Sequence, residues 1–173
     1  MISSEEVVLK DNFVLFWGGY PSNWYPSTFT VDGVRYNCME QYMMAEKARL
    51  FGARLTLKQI MRTASPKVQK QLGRSIPNYD DSRWAKVRFD VVLKGTLEKY
   101  KQNPELLESL LATGTATFVE CSPYDTIWGI GLSMQDKDAT NPGKWRGENL
   151  LGQAITKARD TLLLEREHQA SGV

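Results

Sequence analysis

Histidine and cysteine are scarce in this 173-residue chain: His168 is the single histidine, and Cys38 and Cys121 are the two cysteines. With no CxxC, a Cys/His zinc site cannot be assembled from that set. A Ser-His-Asp or Cys-His nucleophile system would have to use His168, close to the C-terminus, where chains are usually loosely ordered. Excess charge is missing too. A formal net charge of +2 argues against a dedicated DNA-binding surface, which needs clustered Lys and Arg, but allows a local basic pocket. No apolar run approaches a membrane span. The opening "MISSEEVVLKDNFVLF" has no basic n-region, so no signal peptide is expected. Two thiols without a leader fit a reducing, cytoplasmic setting. Neither GxGxxG after a strand nor GxxxxGK[ST] is present, so the two common nucleotide-binding loops are absent.

What is there is ordinary for a soluble globular protein: 42% hydrophobic and 24% charged residues, evenly spread, with no repeat or linker. The length predicts one domain over 1–173, with a core at about 13–166 and short ends. Phe13 to Trp17 reads as a short strand, followed by an aromatic-rich loop, "GGYPSNWYPS". "TFTVDGVRY" reads as a hairpin, because Asp32-Gly33 is a strong two-residue turn signal. A helix is expected after Asn37, another near Thr56 to Arg62, and a third from Ser65-Pro66 to about Leu72, ended by Gly73-Arg74. A long helix is expected over Ser82 to Tyr100. Asn103-Pro104 opens the next. Thr115 to Cys121 alternates like a strand, and "SPYDTIWGIG" reads as a loop entering a short strand. The polar tract 135–148 turns at Asn141-Pro142-Gly143, and Asn149 is placed to cap a final helix through about Glu165. The fold class is α+β, predominantly helical, with a few short strands and a hairpin.

The segment "NCMEQYMMAEKARLF" carries the first chemical signal. Glu40 and Lys47 are seven residues apart, which falls about 20° short of two helical turns with a rise of roughly 10 Å. An acid and an amine therefore share one side of a helix, beside the apolar surface of Met39, Tyr42, Met43, Ala45 and Ala48. Each has a bland alternative. Asn37-x-x-Glu40 resembles a capping box, and Lys47 can be a surface lysine whose stem covers apolar neighbours. In "SPYDTIWGIG", Asp125 can bond its own backbone in a turn and Trp128 can be core. Yet Trp128-Gly129 joins a flat ring to a residue that lets backbone approach a ligand. Trp84, in the first turn of its helix, is either half-buried core or a stacking surface.

Six segments taken in order resemble the NADAR family of N-glycosidases over nearly the full length. They are "SNWYPSTF", "MEQYMMAEKA", "ASPKVQKQLGR", "RWAKVRFDVVLKG", "YDTIWGIG" and "GENLLGQAITKARD". The resemblance implies hydrolysis of an N-ribosidic bond without metal or other cofactor. Two substrate classes are associated with the family: phosphoribosylamino-pyrimidine intermediates of riboflavin synthesis, and ADP-ribose attached to guanine in a nucleotide or nucleic acid. It implies Glu40, Lys47 and Asp125 as catalytic, and Ser22, Asn23, Arg74, Trp84, Trp128, Gly129 and Asn149 as substrate-binding. No obligate protein partner and no membrane are implied.

Breaking a ribosyl C–N bond leaves positive charge on C1′ and electron density on the leaving base, so it needs a carboxylate near the sugar and a proton for the base. Glu40 or Asp125 suits the sugar. Lys47 suits either of two roles: a cation that binds phosphate or protonates the base, or a neutral amine that attacks C1′ and forms a Schiff base. The second role requires a lowered pKa, which burial favours and an ionised Glu40 opposes. Gly18-Gly19, Arg74, Lys144 and Arg146 are candidates for phosphate contact. The tract 135–148 is longer than the link expected in the compact form of the family. A non-catalytic ADP-ribose or nucleotide binder is the competing reading.

Overall fold

The computed structural model describes residues 7–172, which fall into two compact units. One comprises the described residues up to Ser22 together with those from Pro104 onward. The other is Asn23–Asn103. Each is taken by itself.

The first unit is built on a three-stranded sheet of order β1 (Val7–Lys10), β2 (Phe13–Phe16) and β5 (Thr117–Glu120). β1 was not expected from the sequence. It pairs antiparallel with β2, Val7 opposite Phe16, across Asp11 and Asn12, both with positive φ. β2 pairs parallel with β5, Leu15 opposite Val119. Side chains alternate across a strand. One face therefore sends Leu15, Val119 and Cys121 into a core with Ile130, Leu132 and Ala139, while Phe16 and Phe118 meet edge-on at 6.4 Å. Helix α5 (Pro104–Leu111) packs on the long helix α6 (Leu150–Ser171), which also covers β5. α6 is fastened to the strand: the Phe118 amide donates to Thr156 Oγ1 at 3.0 Å, and the buried Arg159 donates to the Ala116 carbonyl and to Thr113 Oγ1.

The second unit is helical around one hairpin. β3 (Phe29–Val31) and β4 (Val34–Tyr36) turn at Asp32 and Gly33, both with positive φ, as the Asp-Gly signal requires. Helix α1 (Met39–Leu50) lies at the centre, packed by α2 (Arg54–Arg62), α3 (Pro66–Arg74) and α4 (Asp81–Lys101). Gly95 sets the α1–α4 approach, since a Cβ there would lie 2.5 Å from the Tyr42 ring. Phe29, Tyr36 and Tyr42 close the hairpin on α1 with ring centroids 5.1–5.9 Å apart. At the end of α4, the Gln102 side-chain amide accepts from the Thr30 N–H and donates to the Thr30 carbonyl, both at 2.8 Å.

Three local expectations are corrected. The capping box at Asn37 is not built, because α1 starts one residue later, with Cys38 as the N-cap residue. The Asn37 side chain goes instead to Ala64 and Gln69, its amide N–H goes to Gln41 Oε1, and the Glu40 N–H goes to the Asn23 carbonyl. No strand follows "SPYDTIWGIG"; bends and turns run through it. Asn149 does hold the cap position of α6, but its side chain makes no cap bond.

Candidate active site

In the second unit, Glu40 and Lys47 project from α1 as the helical period demands. Glu40 is 4% exposed and Lys47 is half-buried. The end of α3 and the start of α4 supply the other charges around the amine. Burial holds the Lys47 amine below its ordinary range; the Glu40 carboxylate pushes it back up, Arg74 pushes it down, and Asp81 pushes it up. The lowering is the sign expected when desolvation outweighs a neighbouring carboxylate. An aromatic wall stands beside it. The Lys47 Nζ lies 4.5 Å from the Tyr79 ring centroid, and Tyr79 meets Phe51 edge-on at 5.3 Å. The Tyr79 hydroxyl donates to Asp81 Oδ1 at 2.7 Å.

The structure thus brings together Glu40, Lys47 and Arg74 of the expected residues. Tyr79 and Asp81 join them unanticipated. Their signal in the sequence was thin, a Tyr-x-Asp beside the Asp80 cap, and only packing reveals it. Trp84 follows one turn after that cap and is buried. Asn23 is also buried; its carbonyl accepts from the Glu40 N–H at 2.9 Å, and its Oδ1 has no hydrogen-bond partner among the described residues.

The expected residues of the first unit are arranged differently. The Ser22 N–H donates to the Gly19 carbonyl at 3.0 Å. Asp125 Oδ1 accepts from the Ile127 and Trp128 N–H groups at 2.9 and 2.8 Å, the local turn that such a residue builds for itself. Gly129 is packed rather than open, since a Cβ there would lie 2.9 Å from the Glu120 carbonyl. A Cβ on Gly147 would run into the Gly129 carbonyl. Asn149 is 1% exposed; its Oδ1 accepts from the Glu120 N–H and its Nδ2 donates to the Phe118 carbonyl, both at 3.0 Å. Trp128 is half-buried, and its carbonyl accepts from the Leu151 N–H at 3.1 Å.

An acid and an amine on one helix, flanked by an arginine and an aromatic wall within an α+β fold, define a chemical class rather than a particular protein. Comparison with known proteins supplies the family. Residues 15–163 match the model of the NADAR domain. The chain is 40% identical over 163 residues to N-glycosidase R617 of Acanthamoeba polyphaga mimivirus, covering 87% of this chain and 96% of that one. It is 33% identical to Protein irg-1 of Caenorhabditis elegans, covering 92% and 84%. The NMR structure of the E. coli protein YbiA superimposes with a TM-score of 0.75 at 28% identity, covering 95% of this chain and 93% of that one. The chain belongs to the NADAR family.

Proposed function

We propose that this protein is a hydrolase of N-glycosyl bonds that releases a base-like nitrogen from ribose, with Glu40 and Lys47 as its catalytic pair. The substrate is nucleotide-like: an ADP-ribosylated guanine, or a phosphoribosylamino-pyrimidine. The observation that carries the reading is the pairing on α1 of a buried carboxylate with an amine whose pKa burial lowers. A phosphate-binding cation has no need of that lowering; a nucleophilic lysine does. The relatives named as N-glycosidases support the reaction class. The family match runs through both units and supports reading 1–173 as one NADAR-like domain. Two buried free thiols fit a cytoplasmic setting.

In this reading Lys47 first passes its proton to the Glu40 carboxylate, and the neutral amine then bonds to C1′ as the C1′–N bond breaks. The electron pair leaves on the base nitrogen, which takes a proton from the Glu40 carboxyl. The C1′–O4′ bond then opens, the ring oxygen gains the amine proton, and an imine links Lys47 to the sugar. Water adds to C1′ as Glu40 removes its proton, and the amine departs. The balance is substrate plus water giving the free sugar, ADP-ribose or ribose 5-phosphate, and the neutral base with a hydrogen on its nitrogen. Burial, and after it the Arg74 charge, disfavour protonation of the amine, and Trp84 supplies an apolar wall.

Mass spectrometry after incubation with both substrate types tests this. Release of ADP-ribose or of ribose 5-phosphate is expected, and Glu40→Gln keeps the fold while release falls at least about 100-fold. Borohydride added during turnover fixes a sugar adduct on Lys47, and Lys47→Arg abolishes it. Ligand-induced thermal stabilisation without product supports the binder instead. An undiminished Glu40→Gln variant removes Glu40 from the mechanism.

A further inference from the structure

The sheet of the first unit has two edges, and they are finished differently. β5 ends the strand order on one side and β1 on the other. The groups that β5 turns away from β2 are taken. Thr156 Oγ1 accepts from the Phe118 N–H, and Asn149 Nδ2 donates to the Phe118 carbonyl. Asn149 Oδ1 accepts from the Glu120 N–H, and the Ile130 N–H donates to the Glu120 carbonyl. β1 has no such finish. Lys10 faces Phe13 across the two-residue turn at Asp11 and Asn12, which makes them a bonded pair, and bonded pairs recur at every second residue. Val8 therefore bonds Leu15, while Val7 and Leu9 direct their N–H and C=O away from β2. The partner strand agrees: the Phe16 carbonyl, opposite Val7, accepts from the Cys121 N–H on β5's side. Leu9 is 67% exposed and Val8 38%, so this edge presents apolar side chains together with its outward backbone.

An apolar edge of this kind invites any extended chain, and the charge pattern narrows the choice. The sequence reads Glu6-Val7-Val8-Leu9-Lys10. Set antiparallel against itself about Val8, it puts Val7 opposite Leu9, Val8 opposite Val8, and Glu6 opposite Lys10 at both ends. Opposite charges placed across an antiparallel pair attract, and like charges repel. In the same register the outward-turned Val7 and Leu9 meet and exchange their N–H and C=O. A slip to the next bonded register puts Val8 opposite Lys10 and Val7 opposite Asp11, and loses both the apolar and the charged matches.

We propose that β1 is a self-pairing edge: two copies of this protein join, antiparallel and centred on Val8, into a symmetric dimer with one continuous sheet. The contact is isologous, as a twofold axis through Val8 requires. It is small, which places it in the weak, concentration-dependent class. A lysine by itself guards an edge against pairing. Matched by Glu6, Lys10 turns most partners away and admits an antiparallel copy.

Sedimentation velocity of the full chain from about 10 µM to about 1 mM is expected to show monomer giving way to dimer. Leu9→Pro removes an N–H that faces away from β2, a place where an edge strand tolerates proline, and should weaken the dimer at least about tenfold. Lys10→Glu sets acid against acid at both ends and should weaken it about threefold or more. Adding Glu6→Lys to Lys10→Glu reverses both charges and should restore the wild-type constant to within about twofold. Circular dichroism and thermal melting confirm that each variant is folded. If Leu9→Pro melts early, the charge reversal decides alone. A wild-type chain that stays monomeric throughout overturns the proposal, whatever other extended peptide the edge accepts. A dimer whose strength is unchanged in either folded single variant is formed elsewhere and overturns it as well. If the double charge reversal fails to restore a dimer that Lys10→Glu has weakened, the register centred on Val8 is wrong.

Discussion

The two regions that look most like active site in the sequence, 37–51 and 122–149, use polar side chains in opposite ways. Between 122 and 149 the side chains of Ser122, Asp125 and Asn149 serve the backbone. Asp125 closes its own turn, Ser122 Oγ accepts from the Tyr124 and Asp125 N–H groups, and Asn149 bridges Phe118 and Glu120. On α1 the acid does not serve as the expected cap. Backbone needs there are met by Gln41 and by the Asn23 carbonyl. Glu40 is buried and Lys47 half-buried on the same helix, and the two interact electrostatically in a poorly solvated place, which costs free energy. Residues that look alike in sequence thus differ in whether their side chains carry the local backbone's hydrogen bonds, and the proposed function makes the α1 pair the reagents.

The strongest break in this contrast comes from Lys47→Met, which removes the amine and keeps the apolar stem. Base release is expected to fall at least about 100-fold, while thermal melting shows unchanged or higher stability. The sign follows from linkage. The amine is more basic in the unfolded chain, so its burial penalty is fully present at low pH and disappears as pH rises to the ordinary lysine range. Any stability gained by the substitution should therefore vanish in alkali. A variant that stays active makes Lys47 a builder too.

Asn149→Ala is expected to act on stability instead. It leaves the Glu120 N–H and the Phe118 carbonyl without their side-chain partner, a loss of about 2–3 kcal/mol in urea unfolding. Asp125→Ala removes one turn acceptor and should lose about 1 kcal/mol. If Asp125→Ala abolishes base release with an unchanged unfolding midpoint, the two regions no longer differ in kind. The smallest expected effect sharpens the α1 side. Arg74→Gln takes away a cation that lowers the Lys47 pKa. Under the proposed function kcat rises with loss of the Lys47 proton, and in this variant that rise should move to higher pH, only slightly because Arg74 is exposed and screened.

Much of this was legible before any coordinates. Asp32-Gly33 gave the hairpin, Pro66 and Pro104 marked helix starts, and the seven-residue spacing put Glu40 and Lys47 on one side of α1. The misses have physical reasons. Gly73 reads as a helix stop, yet α3 runs through it to Arg74, because Met44 packs where a Cβ would stand. α6 continues past Glu165 to Ser171, since "REHQAS" holds no breaker and Gly172 is the first. The Asn37-x-x-Glu40 spacing points to a cap one residue before the actual one, Cys38, and to a reach-back by Glu40 that Gln41 makes instead. "SPYDTIWGIG" carries apolar residues at strand-like spacing, but its backbone groups are taken by its own turn and by the start of α6. Tyr79 and Asp81 reach Lys47 through tertiary packing, which spacing along the chain does not encode.

The Gln102 amide on Thr30 has a consequence for solubility. A two-stranded hairpin offers its outer strand to any other extended chain, and such offers lead to aggregates. Here one side chain occupies both the donor and the acceptor of the middle residue of that strand, as a neighbouring peptide would. The edge is thus closed to strand addition from outside by a residue borrowed from the end of a helix.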